Sequence, residues 1–199
     1  MQERENGRTM VVVSVVCFVA VIVLAHFFAP PGYHWAQNTV SELAPQGHRH
    51  KWIMQAGFIG FGALLNAGIL VKFAATGRVN YPDVLLMVYG VAILLSGIFC
   101  AAPADASITH SAREAGLHSF FASVAGVSFS LAVLLRLLVS SGGDERMFHA
   151  GFLVAIVGSS MLFGLSENGV VGIGQGVVQR ILYLVSFVWL ITQGYWSPG

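Results

Sequence analysis

The chain has 199 residues, of which 56% are hydrophobic and 10% charged, with a formal net charge of +1. Soluble proteins run near a quarter charged, and a soluble fold of this length cannot hide so much apolar surface, so the composition excludes that class. The near-zero charge offers no clustered basic face, which excludes nucleic acid as a partner.

A bilayer core needs about 20 apolar helical residues. Six windows meet this: 10–28, 53–75, 84–102, 116–139, 147–165 and 173–195. The first follows the charged start MQERENGR, a pattern shared with signal peptides. Its apolar run exceeds the usual h-region of about 7–15 residues and no A-x-A site follows, so a retained helix is expected. The second is crowded by Gly57, Gly60 and Gly62. The third follows Pro82 and Asp83 and carries Ala92 and Ser96 four residues apart, as the fourth carries Gly126 and Ser130. Small residues at that spacing let helices approach closely in lipid. Cys17 and Cys100 lie in apolar stretches and read as small core residues rather than a disulfide or metal pair. The expected fold is all-α, a single domain over residues 1–199 made of six transmembrane helices.

Orientation follows from Lys and Arg near the span ends. Arg4, Arg8, Lys72, Arg78, Arg136 and Arg146 fall on one side, against Arg49, Lys51 and Arg113 on the other. This bias predicts cytoplasmic termini and a multi-pass protein of a bacterial or archaeal inner membrane. The outer loops are then 29–52, 103–115 and 166–172, and these hold most of the polar residues.

Arg180 stands out, about 12 Å into the sixth window at 1.5 Å per residue. An intramembrane Arg should face the bundle interior and have a partner. Glu42, Asp105 and Glu167 are the candidate carboxylates, with Asp105 expected; Gln179 and Gln175 lie beside and above it. Arg180 is either a binding residue or a lock for packing. Asp105, His110 and His118 fall within fourteen residues and can hold zinc with an open position, although the spacing matches no recognised signature. The bland alternative has His118 bonded to a neighbouring helix and His110 solvated. A haem between His26 and His118 is a further, weaker option; His149 alone near the inner side rules out a two-haem arrangement.

In the first outer loop, Asn38 or Thr39 should cap a short helix beginning at Val40, with Glu42 in its first turn. Tyr33 and Trp35 suit the membrane interface. His48, Arg49, His50 and Lys51 form either a headgroup contact or a solvated loop end. Ser41, beside Glu42, can join His118 and Asp105 as a hydrolytic set.

The sequence resembles the family catalogued as domain of unknown function 998. Four pieces carry the likeness: Y-x-x-x-x-N-x-V-S-E-L at Tyr33 to Leu43, G-I-F followed by P-A-D at Gly97 to Asp105, G-L-H at Gly116 to His118, and G-V-V-Q-R at Gly176 to Arg180. The resemblance implies Ser41, Glu42, Asp105, His118 and Arg180 as family-typical polar positions. Ala44, where Gly is expected, and the longer join between Phe99 and Pro103 depart from the pattern. A more distant likeness to membrane zinc hydrolases of the alkaline ceramidase and adiponectin-receptor kind is analogy only, since their H-x-x-x-H and seventh helix are missing.

The expectation is a cavity toward the outer leaflet that binds a lipid or small amphiphile through Glu42, Glu167, Gln179 and Arg180. The alternatives are a hydrolase using Ser41, Asp105 and His118, with or without zinc, and a structural bundle. No cofactor is expected; membrane lipids are the expected partners.

Overall fold

The computed structural model describes residues 2–105 and 107–196. Six helices account for most of it: α1 (Gln2–His26), α2 (Lys51–Thr76), α3 (Tyr81–Ile98), α4 (Ala112–Val139), α5 (Gly143–Glu167) and α6 (Gln175–Trp196), with a short 3-10 turn at Ser41–Leu43. All six are long and apolar enough to cross a membrane. Among the described residues there is no strand, only an isolated parallel bridge between Pro45 and Ala101. Each helix packs on its sequence neighbours. The closing α1–α6 seam is thinner than any of these neighbouring contacts. One end of the bundle, the terminal face, carries the start of α1, the end of α6 and the short α2–α3 and α4–α5 turns. The other, the loop face, carries the three remaining connections.

The core is an aromatic chain drawn from five helices. Phe18 of α1 lies 5.0 Å from Phe61 and 5.4 Å from Phe58 of α2, ring centre to ring centre, and 5.7 Å from Phe187 of α6. Tyr89 of α3 meets Phe129 of α4 at 4.9 Å, which in turn meets the fully buried Trp189. Such pairs add about 0.5–1.5 kcal/mol each beyond their buried area. The outward faces carry Val16, Val23, Val127, Val154 and Met161, all exposed. That is the inverse of a soluble bundle and suits a lipid surround.

The sequence windows match all six helices, with one displaced. α3 starts at Tyr81, three residues early, and so takes Pro82 and Asp83 into its first turn. Proline's fixed φ and missing N–H suit that position. The helix stops at Ile98, four residues short of its window. Cys100 and Ala101 leave the helix to meet Pro45 and Gln46, with the Gln46 N–H donating to the Ala101 carbonyl at 3.0 Å.

Close helix approach is set by glycine at two crossings. A Cβ on Gly62 of α2 would run into the Gly90 carbonyl oxygen of α3. On Gly68 it would lie 2.8 Å from the Gly7 carbonyl oxygen of α1. Gly60, two residues away from Gly62, faces open space. We therefore expect Gly62→Ala to destabilise the detergent-solubilised protein by about 1–3 kcal/mol through overpacking. Gly60→Ala should match or slightly exceed the parent, since alanine is the better helix former. Paired thermal melts of the two variants check this.

Candidate functional site

On the loop face, Arg180 is held by neutral groups. Its Nη1 donates to the carbonyls of Trp35 (2.7 Å), Gly176 (2.8 Å) and Asn38 (3.1 Å). Its Nη2 donates to the Tyr33 hydroxyl (2.6 Å) and to His26 Nε2 (3.1 Å). His26 Nδ1 contacts the Ile22 carbonyl at 2.7 Å, so the ring's proton belongs on Nδ1 and Nε2 is left to accept. The Tyr33 hydroxyl donates onward to the Thr39 carbonyl at 3.1 Å. Burial, more than any other cause, pushes the Tyr33 phenol above its usual range. One residue earlier, Gln179 Oε1 accepts from the Val40 N–H at 2.6 Å. No carboxylate pairs with Arg180 among the described residues, so the expected Asp105–Arg180 pair does not form. Every terminal N–H of the guanidinium is already engaged, mostly by backbone.

Glu42 serves the same loop. Its carboxylate accepts from the Thr39 N–H (2.6 Å), the Thr39 hydroxyl (2.9 Å) and Asn38 Nδ2 (3.0 Å). The acid thus reaches back to the Thr39 N–H, which is one half of a capping box, but the turn runs only over Ser41–Leu43 with Val40 at its N-cap and no side-chain cap, so the cap expected from Asn38 or Thr39 does not form. Asp105 is exposed and stays within its own bend, where Ser107 hydrogen bonds hold its carboxyl below the usual range. His118 is buried and its Nδ1 meets the Ser96 (2.8 Å) and Phe99 (2.9 Å) carbonyls, closing the open end of α3. No hydrogen bond links Ser41, His118 and Asp105. The anticipated convergence of Ser41, Glu42, Asp105, His118 and Arg180 on one cavity is therefore replaced by separate local roles. Asp105 and His110 lie out in the loop while the His118 ring is turned into α3, and among the described residues no three acidic, His or Cys side chains gather as metal ligands. The His26–His118 haem option meets the same obstacle, because both His26 nitrogens are engaged. A cavity of about 330 Å³ on this face is lined by Gln37, Asn38, Glu42, Ser166 and Gln175, with no cation. Glu167 is exposed at the end of α5.

The terminal face is different. Asp83, 2% exposed, accepts from Lys72 Nζ (2.7 Å), Arg136 Nη2 (2.6 Å) and, more loosely, Asn80 Nδ2 (3.4 Å). One carboxylate from α3 thus sits between a lysine from α2 and an arginine from α4. This group forms part of the wall of a cavity of about 610 Å³. Arg8 and Arg78 add charge to the lining, and Glu5 offsets part of it. Val11, Leu65, Ile69, Leu86 and Leu190 supply apolar wall, and the buried Gln193 Oε1 has no hydrogen-bond partner. Sequence reasoning counted Lys72, Arg78 and Arg136 only toward orientation and left Asp83 outside its helix. The available signal was an acid in the first turn of an apolar helix, at the same depth as Lys72 and Arg136 on its neighbours.

Six apolar helices closed into one bundle, with a polar network at each end, define a multi-pass α-helical membrane protein. Within that class, the chain belongs to the DUF998 family, described as proteins of unknown function, whose model matches residues 12–195. No curated protein and no solved structure matches it. The four motif pieces that carry the resemblance meet in pairs: Tyr33 to Leu43 with Gly176 to Arg180, and Gly97 to Asp105 with Gly116 to His118.

Because Arg180 serves carbonyls rather than a carboxylate, Arg180→Met should destabilise by about 3 kcal/mol, stranding acceptors that an apolar side chain cannot satisfy. Arg180→Lys should recover little, lacking the planar fork. Thermal melts and limited proteolysis of residues 29–50 check both. The Tyr33 shift adds a pH test. A phenol raised on folding contributes stability below about pH 10 that is lost as pH climbs toward its folded value. Tyr33→Phe should flatten part of the alkaline fall in melting temperature.

Proposed function

We propose that this protein binds an anionic amphiphile in the cavity of the terminal face, with the headgroup at the Lys72–Asp83–Arg136 cluster and the chain leaving between α1 and α6. The observation that carries this reading is the joining, in one space of about 610 Å³, of four cations with apolar side chains from α1, α2, α3 and α6. Sites for small molecules are concave, mostly apolar and fixed by a few polar groups. Val11 of α1 and Leu190 of α6 stand on either side of the thinnest seam, which favours a ligand reaching in from the bilayer over one arriving from water. The excess of Lys and Arg at this end supports cytoplasmic termini, and with that orientation the proposed site faces the inner leaflet rather than the outer one first expected from Arg180. A hydrolytic role finds no comparable support, since Ser41 and His118 share no hydrogen bond.

The test is native mass spectrometry of delipidated protein titrated with phosphatidylglycerol or phosphatidylcholine of matched chains. Retention of the anionic lipid should exceed that of the zwitterionic one. Lys72→Gln, which leaves Asp83 its Arg136 partner, should reduce that preference several-fold, by about 1 kcal/mol or more for one headgroup cation. Arg113→Gln on the loop face should not. Equal retention of both lipids by the parent protein would rule the reading out.

A further inference from the structure

We propose that the cavity of the loop face is a binding site in its own right, independent of the terminal-face site, for an uncharged, hydroxyl-rich group: one sugar ring or polyol, free or carried as the head of a glycolipid. The space measures about 330 Å³, the small end of the range for ligand sites. It lies between the first long loop and the α5–α6 link, and both walls are tied in place. The Ser166 hydroxyl donates to the Ile173 carbonyl, and the Gly176 N–H donates to the Gln37 carbonyl at 3.2 Å. The fold uses Gln37 through its backbone alone and gives the Gln175 side chain no hydrogen bond. Gln37 is exposed and Gln175 half-buried, so packing does not account for two amides bordering one space.

The chemistry of the lining narrows the ligand. Among the described residues no Lys, Arg or His contributes to it, so a phosphate or carboxylate would meet Glu42 with nothing to balance the repulsion. Val171 and Ile173 bring its only apolar side chains, too few to house an acyl chain. A cation fits no better. Glu42 already accepts from the Thr39 N–H, the Thr39 hydroxyl and Asn38 Nδ2, which fills three of about four acceptor positions. The groups left over are donors as much as acceptors. They are the two glutamine amides and the N–H groups of Gly172 and Ile173, none of which has a partner among the described residues. A cation can use only the acceptors and an anion only the donors. A hydroxyl both gives and takes a proton, so a ring bearing several can donate to Glu42 Oε1 or an amide oxygen and accept from the amide nitrogens.

The experiment is native mass spectrometry of the intact, delipidated protein in a polyoxyethylene detergent, which carries no sugar. The probes are glucosyl- and galactosyl-diacylglycerol, compared with diacylglycerol and phosphatidylcholine of identical acyl chains. At least one glycosyl lipid should be retained roughly tenfold more strongly than diacylglycerol, the effect of a few hydrogen bonds. Gln175→Ala should cut that margin about two- to fivefold, and Gln37→Ala/Gln175→Ala should erase it. Thermal melts that match the parent's show the variants to be folded, as expected for side chains that hold no bond; if the double variant is not, Gln175→Ala alone carries the test. Methyl glucoside and methyl galactoside serve as soluble competitors. Displacement of the lipid by either supports a free sugar as the ligand, and retention in their presence supports a lipid-linked one. Glycosyl lipids held no better than diacylglycerol, or a margin unchanged in the folded variants, would overturn the proposal. Stronger retention of phosphatidylcholine than of either glycosyl lipid would overturn it too, by pointing to a cationic head.

Discussion

A helix that begins at a membrane boundary brings N–H groups that its own first turn cannot satisfy. In α6 these fall to the first long loop. The Gly176 N–H donates to the Gln37 carbonyl and the Val177 N–H to that of Ala36. The debt runs the other way too, because an irregular loop carries carbonyls with no ladder to join. Arg180, one turn further along, returns its guanidinium to Trp35 and Asn38. Loop and helix start thus complete one another, and little room is left between them. A Cβ on Gly176 would strike the Trp35 and Asn38 carbonyl oxygens. The position of α6 follows from this clasp, and α6 supplies Phe187 and Trp189 to the core and Leu190 and Gln193 to the cavity.

The second pair of motifs solves the equivalent problem at α3. That helix ends beneath the loops with open carbonyls at Ser96 and Phe99, and His118 covers both with one ring nitrogen. Gln46 then ties the first loop to the chain entering α4, its side chain meeting Ser111 through both the N–H and the carbonyl. Around these two junctions the loop face is tied together by its own polar groups. Arg180, His118 and Gln46 all serve backbone there, as suits a place where water is scarce and each unsatisfied group is costly.

How far this was legible in the sequence depended on range. The six helices could be read because twenty apolar residues in a row admit few other outcomes in lipid. The polar residues of the loop face were grouped with one another, whereas Arg180 and His118 bond mostly to backbone. Arg180 demanded a partner, and a carboxylate was the natural guess. The structure answers with carbonyls, which no sequence pattern marks because every residue carries one. Glu42 was read at the first turn of a short helix capped by Asn38 or Thr39; it does stand at that turn, but it is the acid that reaches back to the Thr39 N–H. Asp83 was hidden by its neighbour: Pro82 was read as a boundary before the helix, whereas it occupies the first turn and carries Asp83 inside.

The two polar clusters differ in what packing alone can explain. Arg180, His118 and Glu42 each satisfy backbone groups, so removing them leaves unpaired donors or acceptors. The bonds described for Asp83 run only to side chains: Lys72, Arg136 and Asn80. Apolar residues of similar volume would fill the same place without the desolvation of ions, and buried ion groups replaced in that way often leave a fold as stable or more so. A bundle that needed only to stand could therefore do without this triad. What the triad adds is a pair of cations held in place, at a fixed depth, beside an open space with apolar walls. The carboxylate between them holds both cations by ion pairs of 2.7 and 2.6 Å and leaves the three groups with one net positive charge. For the anionic ligand proposed above, such a group is preorganised: its ordering cost is met on folding rather than on association, which is where affinity for a small anionic group is otherwise lost.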